Sequence, residues 1–127
     1  MTQLKETQLD MLKEYSELLS VMSEGFDYVQ ANLNEEAPQQ VAQVFNDLLG
    51  AFEQINSSHQ QMIEIFTEDD EIKNQIDKCN QIVAILPNWF EADTNANKKE
   101  LLTSKVIPSF ESWKSNMQKM LNPYILN

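Results

Sequence analysis

Four apolar stripes, each with the spacing of one helical face, constrain this chain more than any other feature of its sequence. In each stripe, large apolar residues recur three and four positions apart, which is the pattern of an amphipathic helix. No segment alternates apolar and polar residues, so no strand is predicted. The stripes run over residues 12–33, 41–66, 72–90 and 102–124.

The breaks between the stripes indicate where helices end. Asn34 is predicted to cap a helix with Pro38 in its first turn, Thr67 to form a capping box with Asp70, and the polar cluster 93–95 to separate the last two helices. Short connections make neighbouring helices antiparallel. Residues 1–127 are therefore predicted to form a single-domain, all-α, antiparallel up-down-up-down four-helix bundle. Its helices are placed at residues 2–32, 36–66, 69–91 and 96–121.

Two prolines lie inside the predicted third and fourth helices. Pro87 and Pro108 each remove a backbone N–H donor, which would otherwise bond to the carbonyls of Val83 and Ser104. Because the apolar spacing continues past both prolines, kinks are predicted in helices 3 and 4. A full break at Pro87 is the alternative.

The charge of the chain is strongly acidic and unevenly spread. Twenty acidic residues stand against nine lysines, with no arginine, which gives a formal charge of −11. Residues 14–72 hold thirteen acidic residues and no lysine, whereas residues 73–127 hold seven lysines and five acidic residues. This field repels nucleic acids and anionic membranes, so neither is an expected partner. A basic protein partner is one alternative, and a surface that only maintains solubility is another.

The single cysteine and the apolar content favour a cytoplasmic protein. Cys79 cannot form an internal disulfide, so nothing indicates an oxidising compartment. The N-terminus is polar, so no signal peptide is expected, and no apolar run reaches the roughly 20 residues that span a bilayer. Cytoplasmic localisation is the expectation.

His59 is the one histidine and lies on the second apolar stripe. Phosphotransfer domains are also four-helix bundles with a reactive histidine, and the sequence that begins at that histidine resembles H-x-x-K-G. In this chain Gln60, Gln61, Met62 and Ile63 follow His59, so the lysine and the glycine are absent. His59 is therefore interpreted as a core histidine, and histidine phosphotransfer signalling is the alternative. One histidine and one cysteine support no metal site. No nucleophile, phosphate-loop or cofactor motif is recognised, so no enzymatic activity and no cofactor are expected.

Residues 82–90, IVAILPNWF, are apolar nearly all round the helix. Val83, Leu86 and Phe90 continue the core stripe, whereas Ile82, Ile85 and Trp89 lie on an adjacent one. An additional apolar stripe either is buried by a wide bundle face or contacts another molecule. The second reading predicts a protein interface at Ile82, Ile85 and Trp89, used for a protein partner or a homodimer.

Two segments carry a resemblance to known proteins. Residues 28–55 (YVQANLNEEAPQQVAQVFNDLLGAFEQI) and 107–126 (IPSFESWKSNMQKMLNPYIL) resemble short all-helical proteins of unknown function from low-GC Gram-positive bacteria. In size and helix arrangement the chain is also similar to flagellar export chaperones, which hold the helical ends of their clients. These resemblances imply a bacterial protein-binding adaptor or chaperone-like module, and they imply no catalytic residues.

Overall fold

The computed structural model describes residues 4–125, which are helical almost throughout and contain no strand. The all-α class is confirmed. Four helical stretches correspond to the four apolar stripes, although the third is interrupted and the fourth contains a π-helical segment. The elements are α1 (Glu6–Asn32), α2 (Gln39–Ile65), α3 (Asp70–Ile85), α4 (Asn88–Glu91), α5 (Asn95–Leu101), the π-helical segment (Leu102–Val106) and α6 (Ile107–Ile125).

Two predicted helix starts differ from the structure. The predicted start at residue 2 lies outside the described residues, and α1 begins at Glu6. The predicted cap at Asn34 is wrong, because α2 begins only at Gln39. A residue that precedes proline is disfavoured in the helical conformation, so Pro38 prevents a start at residue 36. The Asn34 side chain instead accepts the backbone N–H of Glu36 at 3.2 Å and stabilises the connecting turn.

The N-terminus of α3 is capped by Asp69, whereas the sequence predicted a capping box that starts at Thr67. The Asp69 carboxylate accepts the backbone N–H of Ile72 at 3.1 Å. Thr67 lies in the preceding turn, where its carbonyl accepts the Lys73 ammonium at 2.7 Å. Asp69 therefore satisfies one of the donors that a helix start leaves unpaired.

Replacing Asp69 with alanine is expected to lower the free energy of unfolding by about 1 kcal/mol, because the Ile72 N–H loses its acceptor. Urea denaturation followed by circular dichroism measures this loss. Asp70→Ala is the matched control, since it removes the same charge from the adjacent position but no cap. Equal losses in both variants would show that the charge, and not the cap, stabilises this end.

Pro87 separates α3 from α4, so the alternative of a break is observed in place of the predicted kink. α3 ends at Ile85 and α4 begins at Asn88. The Val83 carbonyl, which has no donor at Pro87, accepts the Leu86 N–H at 3.2 Å in a tighter turn. The predicted helix over residues 69–91 is thus divided at its proline.

Pro108 does not end its helix. α5, the π-helical segment and α6 are contiguous, and the Ile107 N–H donates to the Leu102 carbonyl five residues earlier. This wider turn lies immediately before Pro108, where the sequence predicted a kink. π turns are local departures from α-helical hydrogen bonding, and here one lies beside the residue that lacks an N–H.

The core forms where the four helical stretches meet. Phe26 of α1, Phe52 of α2 and Phe110 of α6 contact one another, with ring centroids 5.0 to 6.3 Å apart. Trp113 of α6 donates its indole N–H to the carbonyl of Gln75 in α3 at 2.8 Å. All the stripe positions predicted on α1 and α2 are buried. They are Leu12, Tyr15, Leu19, Met22, Phe26, Val29, Leu33, Val41, Phe45, Leu48, Phe52, Ile55, His59, Met62 and Phe66.

Candidate functional site

The end of the third helical stretch presents a different face to solvent from the one the sequence predicted. Ile82 and Trp89 are buried, each with 4% of its surface exposed, and Ile85 packs partly buried against the core. Of the three residues predicted in the core stripe, Leu86 is buried, whereas Val83 and Phe90 are 39% and 64% exposed. The interface hypothesis for Ile82, Ile85 and Trp89 therefore needs correction, because two of these side chains are not on the surface.

Trp89 packs in the core against an aromatic ring of α2 and an ammonium group of α5. Its indole stacks on Phe45 of α2 with ring centroids 4.0 Å apart and an interplanar angle of 8°. The Lys98 ammonium of α5 lies 5.1 Å from the indole centroid, within range of a cation–π interaction. Phe90 meets the edge of the same Phe45 ring at 5.9 Å and remains exposed.

A groove of about 430 Å³ runs between α2 and α3 beside these exposed side chains. It is named the α2–α3 groove below. Exposed apolar surface next to a concavity is typical of a binding site. The apolar lining consists of Leu49 and Phe52 of α2, Val83 of α3, and Leu86, Pro87 and Phe90 of the turn and α4.

The polar residues along the groove set its charge. Glu53 and Asn56 of α2 and Asn80 of α3 are exposed along its edges. Glu53 is the one charged residue among the described groove-lining residues. The groove is therefore mainly apolar and carries a negative charge at its edge.

His59 and Cys79 line the groove from positions inside the core. The Tyr15 hydroxyl and His59 Nε2 form a hydrogen bond of 2.7 Å, whose direction depends on the tautomer of the imidazole. The Trp113 ring lies nearly perpendicular to the imidazole, with ring centroids 5.9 Å apart. Burial lowers the pKa of His59 to about 4 and raises the pKa of the Cys79 thiol to about 12. Burial also raises the pKa of Tyr15, with the Cys79 thiol as a smaller contribution. All three groups are uncharged near neutral pH.

This environment bears directly on the phosphotransfer alternative for His59. A phosphoryl acceptor needs a ring nitrogen that a donor can reach, whereas His59 is 1% exposed and Nε2 bonds to Tyr15. The structure therefore places His59 as a hydrogen-bonded core residue, as the first interpretation predicted. No group of three or more metal-ligating side chains comes together within residues 4–125. In the same residues, no helix combines the length and apolarity needed to cross a membrane.

Sequence reasoning missed Val83 and Phe90 as surface residues, although it contained part of the signal. The nearly continuous apolar character of residues 82–90 indicated that one stripe would exceed what the core could cover. Both stripes step by three and four, so spacing could not decide which one faces inward. The contact between Trp89 and Phe45, which are 44 positions apart, decides it in the structure.

Comparison with known proteins identifies a family whose function is unknown. A family model described as a domain of unknown function (DUF8042) matches residues 10–116. No curated protein matches the chain. No solved structure matches it either.

Proposed function

We propose that this chain, which belongs to the DUF8042 family of unknown function, is a non-enzymatic protein-binding module. Such a module would act either as an adaptor or as a chaperone-like protein that holds a helical segment. The α2–α3 groove is the docking face. One observation carries the proposal: Phe90, 64% exposed, borders an apolar groove that the chain's own helices leave open. Large exposed aromatic side chains beside a concavity are frequent anchors of protein interfaces.

The shape of the groove favours a helix as its occupant. Its lining on α2 extends from Leu49 to His59, which is about 15 Å of helix and three turns. A docked amphipathic helix presents apolar side chains at three- and four-residue spacing over a comparable length. A second helix lying beside α2 and α3 would repeat the packing that these helices already make with their neighbours.

The proposal includes the antiparallel up-down-up-down order of the bundle and action in the cytoplasm. Contacts between α1 and α2 support the order, since Tyr15 meets His59 while Phe26, further along α1, meets the earlier Phe52. Support for the cytoplasm comes from Cys79, the one cysteine, which is a buried free thiol.

The test uses two soluble helical peptides of about 14 residues with the same leucine pattern, one with lysine and one with glutamate at the remaining positions. Titration into the isotope-labelled protein should shift the NMR signals of residues along the α2–α3 groove. Phe90→Ala is expected to raise the Kd of the binding peptide about ten-fold, because the exposed ring is the apolar anchor.

Val21→Ala is the matched control, because Val21 is 58% exposed on α1 and lies outside the groove. The Kd of the peptide for this variant should stay within two-fold of its Kd for the original protein, because a few anchor residues supply most of the binding energy of an interface. Binding that Phe90→Ala leaves unchanged, or no binding of either peptide at millimolar concentration, would refute the groove as a docking face.

A further inference from the structure

We infer that the α2–α3 groove selects a cationic helix, whose apolar side chains pack on Val83 and Phe90 while its lysine or arginine side chains pair with the acidic face of α2. This inference rests on the proposed function and names the chemistry of the partner. The charges around the groove, in addition to its apolar lining, favour a cationic partner.

The α2 side of the groove is acidic and contains no compensating base. Glu53 lines the groove, and Glu64 follows it by eleven residues, or three turns, so both carboxylates lie on the same face of α2. Both residues are exposed, and α2 contains neither lysine nor arginine. A bound helix with lysine or arginine along its margin would therefore meet two unpaired carboxylates about 16 Å apart along α2.

The α3 side does not neutralise this charge. Lys73, one turn before the buried Ile76, donates its ammonium to the Thr67 carbonyl at the connecting turn. Lys78 lines the opposite side of α3, where it faces α6. Asp77 is exposed beside Lys78 on that same side of α3 and does not line the groove. The α3 edge of the groove, which Asn80 and Val83 form, is thus uncharged, and the negative charge of the groove comes from α2.

A second copy of this chain is a poorer occupant than a cationic helix. The chain carries a charge of −11, and thirteen of its acidic residues lie between residues 14 and 72, which include most of α1 and all of α2. Docking either helix of one copy against α2 of another would oppose like charges, which weakens association and slows encounter. Complementary charge instead favours a partner segment rich in lysine or arginine.

The experiment compares the lysine and glutamate peptides by fluorescence anisotropy against the full chain. The lysine peptide is expected to bind at least ten-fold more tightly, and its affinity should fall as salt is raised from about 50 to 300 mM. Glu53→Lys should raise the Kd of the lysine peptide about five-fold and should lower that of the glutamate peptide. Glu17→Lys is the matched control, since Glu17 is exposed on α1 outside the groove and the change in net charge is the same.

The outcomes separate this inference from the proposed function. Equal affinity for both peptides, each weakened by Phe90→Ala, would retain the docking face and overturn its selectivity for cations. Equal weakening of the lysine peptide by Glu53→Lys and Glu17→Lys would also overturn the inference, because only the overall charge would then matter. Absence of binding by both peptides would refute the proposed function itself.

Discussion

Replacing Trp89 with alanine is expected to lower the free energy of unfolding by about 4 kcal/mol, which lies within the range for replacing a buried aromatic residue with alanine. The substitution removes the ring that stacks on Phe45 at 4.0 Å and the surface over which the Lys98 ammonium lies. It also leaves a cavity at the junction of α2, α4 and α5, which these elements can close only by shifting. Urea denaturation followed by circular dichroism measures the loss.

Phe90→Ala provides the neighbouring control. Its ring is 64% exposed and has one edge contact with Phe45, so the free energy of unfolding should fall by less than about 1 kcal/mol. The sequence-based interface hypothesis predicts the opposite result, in which Trp89→Ala weakens association and leaves the fold intact. Similar stability losses at the two positions would contradict the assignment of Trp89 to the core and Phe90 to the surface.

Acidification is expected to destabilise the protein through His59 by about 2 kcal/mol between pH 7.5 and pH 5. Burial lowers the pKa of His59 from its ordinary value of 6.5 to about 4 in the folded chain. Below pH 6.5 the unfolded chain therefore binds a proton that the folded chain does not, and stability falls as the pH falls. The full contribution, about 3 kcal/mol, is lost once the pH reaches the folded-state value near 4.

His59→Gln isolates this contribution, because glutamine does not titrate and offers both a donor and an acceptor to the Tyr15 hydroxyl. The variant carries the same twenty acidic residues, so their titration affects both proteins alike. The original chain should lose about 2 kcal/mol more than the variant over this pH interval, measured by urea denaturation at several pH values. Parallel pH profiles would show that folding does not depress the pKa of His59.

The sequence alone predicted the helical stretches and most of the core, because on α1 and α2 one apolar face is clearly distinguished from a polar one. The helix ends were less predictable. At α2, Pro38 disfavours the helical conformation for Ala37, a steric effect that outweighs the capping preference of Asn34. At α3, Thr67 and Asp69 are both residue types that cap helices, and only the backbone geometry selects Asp69.

The candidate site was less accessible to sequence reasoning than the fold was. Two apolar stripes overlap in residues 82–90, and each satisfies the spacing of a helical face. Pro87 divides this segment, but Leu86 and Pro87 keep helical backbone angles, so α4 continues the rotation of α3 and Trp89 lies on the buried face of Ile82 and Leu86. The burial of Trp89 depends on Phe45 and Lys98, which are distant in sequence. A periodic pattern contains no information about such distant contacts.

The π-helical segment has a consequence for how the last helical stretch enters the core. Leu102, Val106 and Phe110 are separated by two successive steps of four, which in an unbroken α-helix would rotate the third side chain about 80° from the first. All three are nevertheless fully buried. The π-helical turn has more residues per turn than an α-helix and thereby compensates for this rotation. The stretch before it can therefore direct Lys98 to Trp89, while the stretch after it keeps Phe110 and Trp113 facing inward.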